Sequence, residues 1–206
     1  MSEIVLSTAY LAPVEYYSEI VKAETVFIEN CEFYQKQSYR NRCQIAAANG
    51  TMALSIPVEK SEQEKVLTRD VRISQHMNWQ VNHWRSIESA YNSTPFFEYY
   101  KDDLFPFYDK KWTFLFDFNQ EIQLRIFELL NMNIEIQLTT EYNKCLNEKI
   151  LDFRESIHPK KENKLVNCNP YYQVFGQRYG FQPNLSIIDL LFNMGNESVF
   201  SFIHDS

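Results

Sequence analysis

Glycine is scarce in this sequence, and its scarcity excludes the common phosphate-binding loops. The 206 residues include 4 glycines, which form neither a G-x-G-x-x-G fingerprint nor a Walker A loop. The 4 histidines show no H-E-x-x-H spacing, and no G-x-S-x-G nucleophile elbow is present. A standard dinucleotide site or P-loop is therefore not expected. The sequence indicates no metal site and leaves any cofactor unknown.

Disulfide frameworks and membrane spans are also not indicated. Cys31, Cys43, Cys145 and Cys168 form no C-x-x-C pair, and no stretch approaches 18 consecutive apolar residues. Residues 1–6 lack the basic and long apolar regions of a signal peptide. We therefore expect a cytoplasmic protein with reduced thiols and no membrane span.

A surplus of basic residues is missing too, because the net charge is −7. This argues against nucleic acid as a partner, although a local basic patch can still bind a small anion. Aromatic residues, in contrast, are abundant at 16%, with 16 Phe and 13 Tyr. A core rich in large rings is the more ordinary reading, and an aromatic binding surface is the alternative.

A strand, a helix and a second strand open the chain. Residues 4–8 are an apolar run, residues 14–22 carry an apolar stripe of helical spacing after Pro13, and residues 25–28 are β-branched and aromatic. The length and order are those of a βαβ unit.

An Asn-Gly pair gives the clearest local signal. Asn49-Gly50 separates residues 44–48 from residues 51–56 and predicts a β-hairpin, since both residues tolerate the positive φ angles of a two-residue turn. Residues 68–73 are a plausible further strand.

Beyond Asn78, an available N-cap, the apolar period becomes helical. One stripe contains Trp79, His83, Ile87, Ala90 and Tyr91. Residues 96–108 and 112–130 predict two more helices, residues 134–138 predict a late strand, and the polar residues 146–165 predict a surface loop.

The C-terminal part ends in a helix with recognisable boundary signals. Ser186 and Asp189 form a capping box, and Gly195 fits a left-handed helix stop. The predicted fold is one α/β domain over residues 1–206, with a mixed α+β arrangement as the alternative. An N-terminal βαβ unit with a β-hairpin is followed by a mostly helical C-terminal half packed on it.

The polar segment 34–42 is the first candidate site. It places Lys36, Arg40 and Arg42 between two predicted strands. Arginine binds phosphate or carboxylate through two parallel hydrogen bonds, and α/β folds bind ligands at strand ends. A solvated loop with structural salt bridges is the equally open alternative.

His83 is the second candidate, as a half-buried general acid or base, although a satisfied core histidine is more common. Tyr10 lies at the first strand-to-helix junction, where a helix N-terminus favours an anion. Asp189 is better explained as a helix cap than as a site residue.

Taken in order, several segments resemble the WbqC-like bacterial family. They are 5–17 (VLSTAYLAPVEYY), 39–42 (YRNR) with its hairpin, 83–91 (HWRSIESAY), 94–97 (TPFF) and 183–189 (PNLSIID). Two features depart from the family pattern. Thr8-Ala9-Tyr10 replaces the usual Gln-Pro-Tyr, and a segment with paired glycines is absent near residues 157–170.

The resemblance implies a role in modifying an activated sugar, because some members are encoded with surface-polysaccharide genes. The leading hypothesis is an enzyme, a transferase of a group on a nucleotide-linked or phosphorylated sugar. Its anion would be held by Lys36, Arg40 and Arg42 and oriented by Asn41. Tyr10 would line the pocket, and His83 would transfer a proton. The alternative is a non-catalytic binding or scaffold protein with an aromatic surface.

Overall fold

The computed structural model describes residues 2–147, 149–161 and 170–202. Its first part is β1 (Glu3–Ser7), α1 (Val14–Lys22) and β2 (Thr25–Glu29). The two strands lie side by side and parallel, with Ile4 opposite Val26. Three consecutive residues of β1, at positions 4–6, are buried, as expected for a parallel strand covered on both faces. The predicted βαβ unit is confirmed.

The hairpin is confirmed as well, with a turn placed one residue earlier than predicted. It consists of β3 (Arg42–Ala47) and β4 (Gly50–Ser55). Ala47 pairs with Gly50, so the loop residues are Ala48 and Asn49. Positive φ falls on Gly50, at 108°, and not on Asn49. Glycine is the residue that takes this angle at the lowest cost.

The predicted strand over residues 68–73 is wrong. Thr68–Asp70 is a short 3-10 helix, and the residues after it make single antiparallel bridges instead of a ladder. Arg72 bridges to Phe114, and Ile73 bridges to Val58. Such scattered partners hold an extended segment in place without building a strand.

The helical part of the chain follows, with boundaries close to those predicted. It comprises α2 (Trp79–Tyr91), α3 (Phe97–Leu104), α4 (Pro106–Asp109) and α5 (Leu115–Leu129). The predicted helix 96–108 is divided by Pro106, which occupies the first turn of α4. Asn78 holds the N-cap position of α2, but its side chain makes no capping hydrogen bond.

Two short strands complete the parallel sheet. They are β5 (Ile136–Leu138), which was predicted, and β6 (Ile150–Asp152), which lies where a loop was predicted. The strand order is β5-β2-β1-β6, and every neighbouring pair is parallel. A strand of three residues is too short to show a period of two in the sequence. Residues 162–165 of the predicted loop lie outside the described residues.

At the C-terminus lie α6 (Gly176–Tyr179), α7 (Ile187–Met194) and a final 3-10 helix (Gly195–Ser201). Gly195 ends α7 with a φ of 57°, which confirms the predicted left-handed stop.

The predicted capping box is wrong. The Ser186 hydroxyl donates to the Leu11 carbonyl. The buried Asp189 carboxylate accepts hydrogen bonds from Tyr91, Tyr171 and Gln173 instead of serving a helix end. Hydrogen bonds to residues outside the helix therefore take the place of the predicted capping hydrogen bonds.

Buried apolar residues of β1 to β4, of α1 to α5 and of α7 form a single cluster. The fold class is α/β as predicted, with a parallel sheet, a separate hairpin and helices. Cys31, Cys43 and Cys145 are free thiols, and Cys168 lies outside the described residues. In the described part of the chain no helix is long and apolar enough to cross a membrane.

Candidate functional site

The polar segment 34–42 lies against the carboxyl end of the parallel sheet. Backbone hydrogen bonds fix it there, from Tyr10 N–H to the Tyr39 carbonyl and from Tyr34 N–H to the Val66 carbonyl. The Asn119 side chain of α5 donates to the Arg40 carbonyl at 2.7 Å. The segment is thus held in place from both sides, as a binding site requires of its framework.

Arg40 is buried, with 2% of its surface exposed. Its Nε and Nη2 atoms donate to the two carboxylate oxygens of Glu32, and Nη2 also donates to the Ser7 hydroxyl at 2.8 Å. Among the residues that the structure describes, its Nη1 atom has no hydrogen-bond partner. Burial raises the pKa of Glu32, and the hydrogen bonds from Arg40 and Ser7 oppose that rise.

A second buried arginine lies at the same edge of the sheet. Arg154 follows β6 and donates from Nη1 to Glu29, the last residue of β2, at 2.7 Å. Its other nitrogens are bonded to Asp152 and to the Asn143 carbonyl. We call the group formed by Ser7, Glu29, Glu32, Arg40 and Arg154 the carboxyl-edge cluster. Buried charges of this kind add little net stability, which favours a functional reason for them.

A narrow pocket opens at this cluster, where β1 ends. Its lining includes Ser7, Thr8, Tyr39, Arg40 and Arg154. About 10 Å³ is open to the centre of a water molecule, which is room for one oxygen-sized group. We call it the edge pocket. It combines the hydroxyls of Ser7 and Thr8, two phenols and two guanidinium groups. Both guanidinium groups are paired with carboxylates: Arg40 with Glu32 and, at 3.7 Å, with Glu155, and Arg154 with Glu29 and Asp152.

A larger cleft, with a volume of about 570 Å³, is lined in part by residues of the same segment. We call it the lysine cleft, and its lining includes Phe33, Tyr34, Lys36, Lys60, Lys65 and Arg72. Lys65 lies over the Phe33 ring, with its Nζ 5.6 Å from the ring centroid. Burial raises the pKa of Tyr34 to about 12, and the positive charges of Arg40 and Arg42 oppose the rise.

Asn41 and Arg42 lie at the start of the hairpin and contact its second strand. Arg42 Nε donates to the Ser55 hydroxyl at 3.0 Å, and Asn41 Nδ2 donates to the Ile56 carbonyl at 2.9 Å. The Oδ1 atom of Asn41 is buried and has no partner in the described part of the chain. Neither residue belongs to the lining of the edge pocket or of the lysine cleft.

Tyr10 and His83 are brought together inside the ring cluster of the core. The Tyr10 hydroxyl lies 2.9 Å from His83 Nδ1 and 2.9 Å from the Tyr108 hydroxyl. The edge of the Trp79 ring packs against His83. Burial lowers the pKa of His83 to about 4, and a hydrogen bond to the Ser55 backbone opposes the shift. The imidazole is therefore neutral near pH 7 and is surrounded by hydrogen-bond partners.

The structure thus separates the predicted site residues into four places. Arg40 lines the edge pocket, Lys36 lines the lysine cleft, Asn41 and Arg42 bind the hairpin, and Tyr10 and His83 form a pair in the core. In residues 2–147, 149–161 and 170–202 no three His, Cys, Asp or Glu side chains are grouped as a metal ion would require.

Four residues of the carboxyl-edge cluster were not predicted from the sequence. Ser7, Glu29 and Glu32 follow or end the first two strands, and their position at parallel strand ends was the available signal. Arg154 gave no such signal, because the strand that precedes it was not recognised.

Two comparisons place the chain among known proteins. The model of the WbqC-like protein family matches residues 8–162. The segment 183–189, which also resembles the family, lies beyond that match. The chain is similar to the uncharacterized protein Rv1507c of Mycobacterium tuberculosis, with 24% identity over 89% of each chain. No solved structure is significantly similar to this chain.

Proposed function

The chain belongs to the WbqC-like protein family, and from that premise we propose that it is an enzyme that transfers a group on a phosphorylated or nucleotide-linked sugar. The observation that carries the proposal is Arg40, a buried arginine that lines the edge pocket with one nitrogen unbonded among the described residues. A cytoplasmic location and a connection to surface polysaccharide are parts of the same proposal.

The chemistry of Arg40 supports an anionic ligand. The Nη1 atom of Arg40 is not one of the fully buried polar atoms that lack a partner among the described residues, so it is open to an incoming oxygen at the edge pocket. Glu32 and Ser7 already hold the other two nitrogens, so the guanidinium needs no reorganisation to receive a phosphate oxygen. The edge pocket has room for one such oxygen, and the remainder of the ligand would lie outside it.

The position of the pocket supports the same conclusion. Open parallel sheets bind their ligands outside the carboxyl ends of the strands, and the edge pocket lies where β1 ends. Lys36 is exposed on the same segment as Arg40 and would meet a second phosphate oxygen. The contributions of Asn41 and Arg42 would be to hold this segment against the hairpin.

Proton transfer by His83 stays a prediction, as does the pocket role of Tyr10. Their hydrogen bond and their burial support a role in the core, so a catalytic role requires a path from the edge pocket to the ring cluster. Turnover that survives His83→Asn with unchanged pH dependence would exclude His83 as the proton donor.

The proposal is tested by thermal shift with sugar phosphates and nucleotide-linked sugars. A ligand at about 100 times its dissociation constant raises the midpoint by roughly 5–10 °C in a protein of this size. Arg40→Lys keeps the charge beside Glu32 and removes the second arm of the guanidinium, so we expect it to lose the shift.

Arg85→Lys is the matched control. It changes an exposed arginine on α2 that lines neither the edge pocket nor the lysine cleft, and it should keep the shift. A parent protein that responds to none of these compounds would contradict the proposal and favour a non-catalytic binding protein. A shift that persists in Arg40→Lys would also contradict it.

A further inference from the structure

The lysine cleft has the dimensions and composition of a small-molecule site. Its volume of about 570 Å³ lies within the range of about 300–1,000 Å³ that is usual for ligand pockets. Its lining combines charged side chains with apolar ones. The apolar residues include Val58, Val66 and Val71. Such a cleft holds a ligand that has one flat apolar part and one anionic part.

Phe33 provides the surface for the flat part. About 52% of this phenylalanine is exposed, which is high for a large apolar side chain. The Lys65 ammonium group lies over its ring at 5.6 Å from the centroid, so the ring face is already next to a positive charge. An exposed ring beside cations is a stacking platform for a nucleobase.

The cationic side chains of the lysine cleft could bind the anionic part of such a ligand. Four cations and three anions line it, although the whole chain carries a net charge of −7. Arg72 and Glu59 form an ion pair at 3.5 Å and neutralise each other. Lys36 and Lys60 have no ion-pair partner among the described residues, which leaves them available to phosphate oxygens.

One segment, residues 33–40, contributes to the lining of both the lysine cleft and the edge pocket. Phe33, Tyr34 and Lys36 line the cleft, and Tyr39 and Arg40 line the edge pocket. The lining residues of the two sites are thus separated by only two positions of the chain, Lys36 on one side and Tyr39 on the other. A nucleotide-linked sugar with its base in the lysine cleft and its phosphates between Lys36 and Arg40 matches this arrangement.

We propose that the lysine cleft binds the nucleotide part of the substrate, with the base stacked on Phe33 and the phosphate held by Lys36 and Lys60. This inference rests on the proposed function and narrows it, because it selects a nucleotide-linked sugar over a simple sugar phosphate. The base is thus recognised in the lysine cleft, and the phosphate that carries the sugar lies towards the edge pocket, where Arg40 binds one of its oxygens.

The test measures binding of uridine and adenosine monophosphates by calorimetry, with inorganic phosphate as the probe that lacks a base. Loss of one base–aromatic stack weakens binding by about 5- to 150-fold, and we expect this from Phe33→Leu. Lys36→Gln should weaken binding of both nucleotides as well. Tyr99→Leu is the matched control, since Tyr99 is 74% exposed on α3 and does not line the cleft.

Each outcome separates this inference from the proposed function. Nucleotide binding that is lost in Phe33→Leu and kept in Tyr99→Leu and Arg40→Lys supports the cleft. Phosphate binding as tight as nucleotide binding, or nucleotide binding unaffected by Phe33→Leu, overturns it. If sugar phosphates give a shift that depends on Arg40 while no nucleotide binds, the cleft is overturned and the proposed function stands. If nucleotides bind in the expected way and no sugar phosphate or nucleotide-linked sugar gives a shift that depends on Arg40, the cleft stands and the transferase proposal fails.

Discussion

Arg40 and Arg42 are separated by one residue, and their side chains have very different surroundings. Arg40 is buried against Glu32, whereas Arg42 is partly exposed on the hairpin and bonds Ser55. Their adjacency suggested one anion site, and in a strand residues i and i+2 would face the same side. Arg40, however, lies in the turn that precedes β3, so the alternation of a strand does not relate the two side chains. At the scale of the residue, function therefore depends on which side of the segment a side chain faces.

His83 shows the same dependence on surroundings and leads to a prediction about pH. Burial lowers its pKa to about 4 from an ordinary value of 6.5. Between about pH 6.5 and pH 4 the unfolded chain binds a proton that the folded chain excludes, so the free energy of unfolding falls as the pH falls. The loss is about 3 kcal/mol across this window. Urea unfolding at a series of pH values measures it.

Other groups titrate in the same range. The contribution of His83 is therefore measured by comparing the pH dependence of the parent with that of His83→Asn. This variant loses stability at pH 7 but removes the titrating group, and its free energy of unfolding should depend less steeply on pH than that of the parent. Equal slopes for the two proteins would show that the pKa of His83 is not lowered.

At the scale of the element, the end of α7 depends on one glycine. Gly195 has a φ of 57°, and its N–H donates to the Leu191 carbonyl to close the last turn. A Cβ atom at this position would lie 2.7 Å from the Phe96 ring. Backbone conformation and packing therefore demand glycine for separate reasons.

Gly195→Ala should lower the free energy of unfolding by about 2–4 kcal/mol, because a left-handed conformation and an overpacked contact are both penalised. Chemical denaturation measures the change. Gly180→Ala is the matched control, since Gly180 has a φ of 72° and open space around its Cα. The free energy of unfolding of this variant should fall only by the backbone contribution, about 1–2 kcal/mol. Equal losses in the two variants would exclude the contact with Phe96 as a cause.

At the scale of the whole molecule, the C-terminal segment joins the N-terminal elements. Ser186 N–H donates to the Gln44 carbonyl of β3 at 2.7 Å, and Ile187 N–H donates to the Ala12 carbonyl at 2.9 Å. Asp189 then links α7 to Tyr91 at the end of α2. These contacts connect distant parts of the described chain, and one domain over residues 1–206 stays a prediction.

We therefore expect a single cooperative unfolding transition. Circular dichroism, which reports all helices, and tryptophan fluorescence, which reports the ring cluster around Trp79, should give the same midpoint. Asp189→Leu removes a buried carboxylate that accepts three hydrogen bonds, and it leaves the Tyr91 hydroxyl without its acceptor. It should lower both midpoints together, by about 1–3 kcal/mol in free energy. Two midpoints that move independently would indicate two separately folding units.

The sequence by itself determined the elements whose signals are local. The helical stripe of α2, the opening βαβ unit and the hairpin were all predicted, because a period of 3.6 or 2 and an Asn-Gly pair depend on neighbouring residues. The family was also recognisable from short segments in a fixed order, and the match over residues 8–162 confirms it.

Only the tertiary structure decided where the charged and polar side chains find their partners. Arg154 bonds Glu29 across 125 positions, and Asp189 accepts from Tyr91 across 98. No period in the sequence encodes such pairs, since they arise when separate elements meet. The three-residue β6 was missed for a related reason, because its pairing with β1 and not its own pattern makes it a strand. The carboxyl-edge cluster depends on that pairing, so it became visible only in the folded chain.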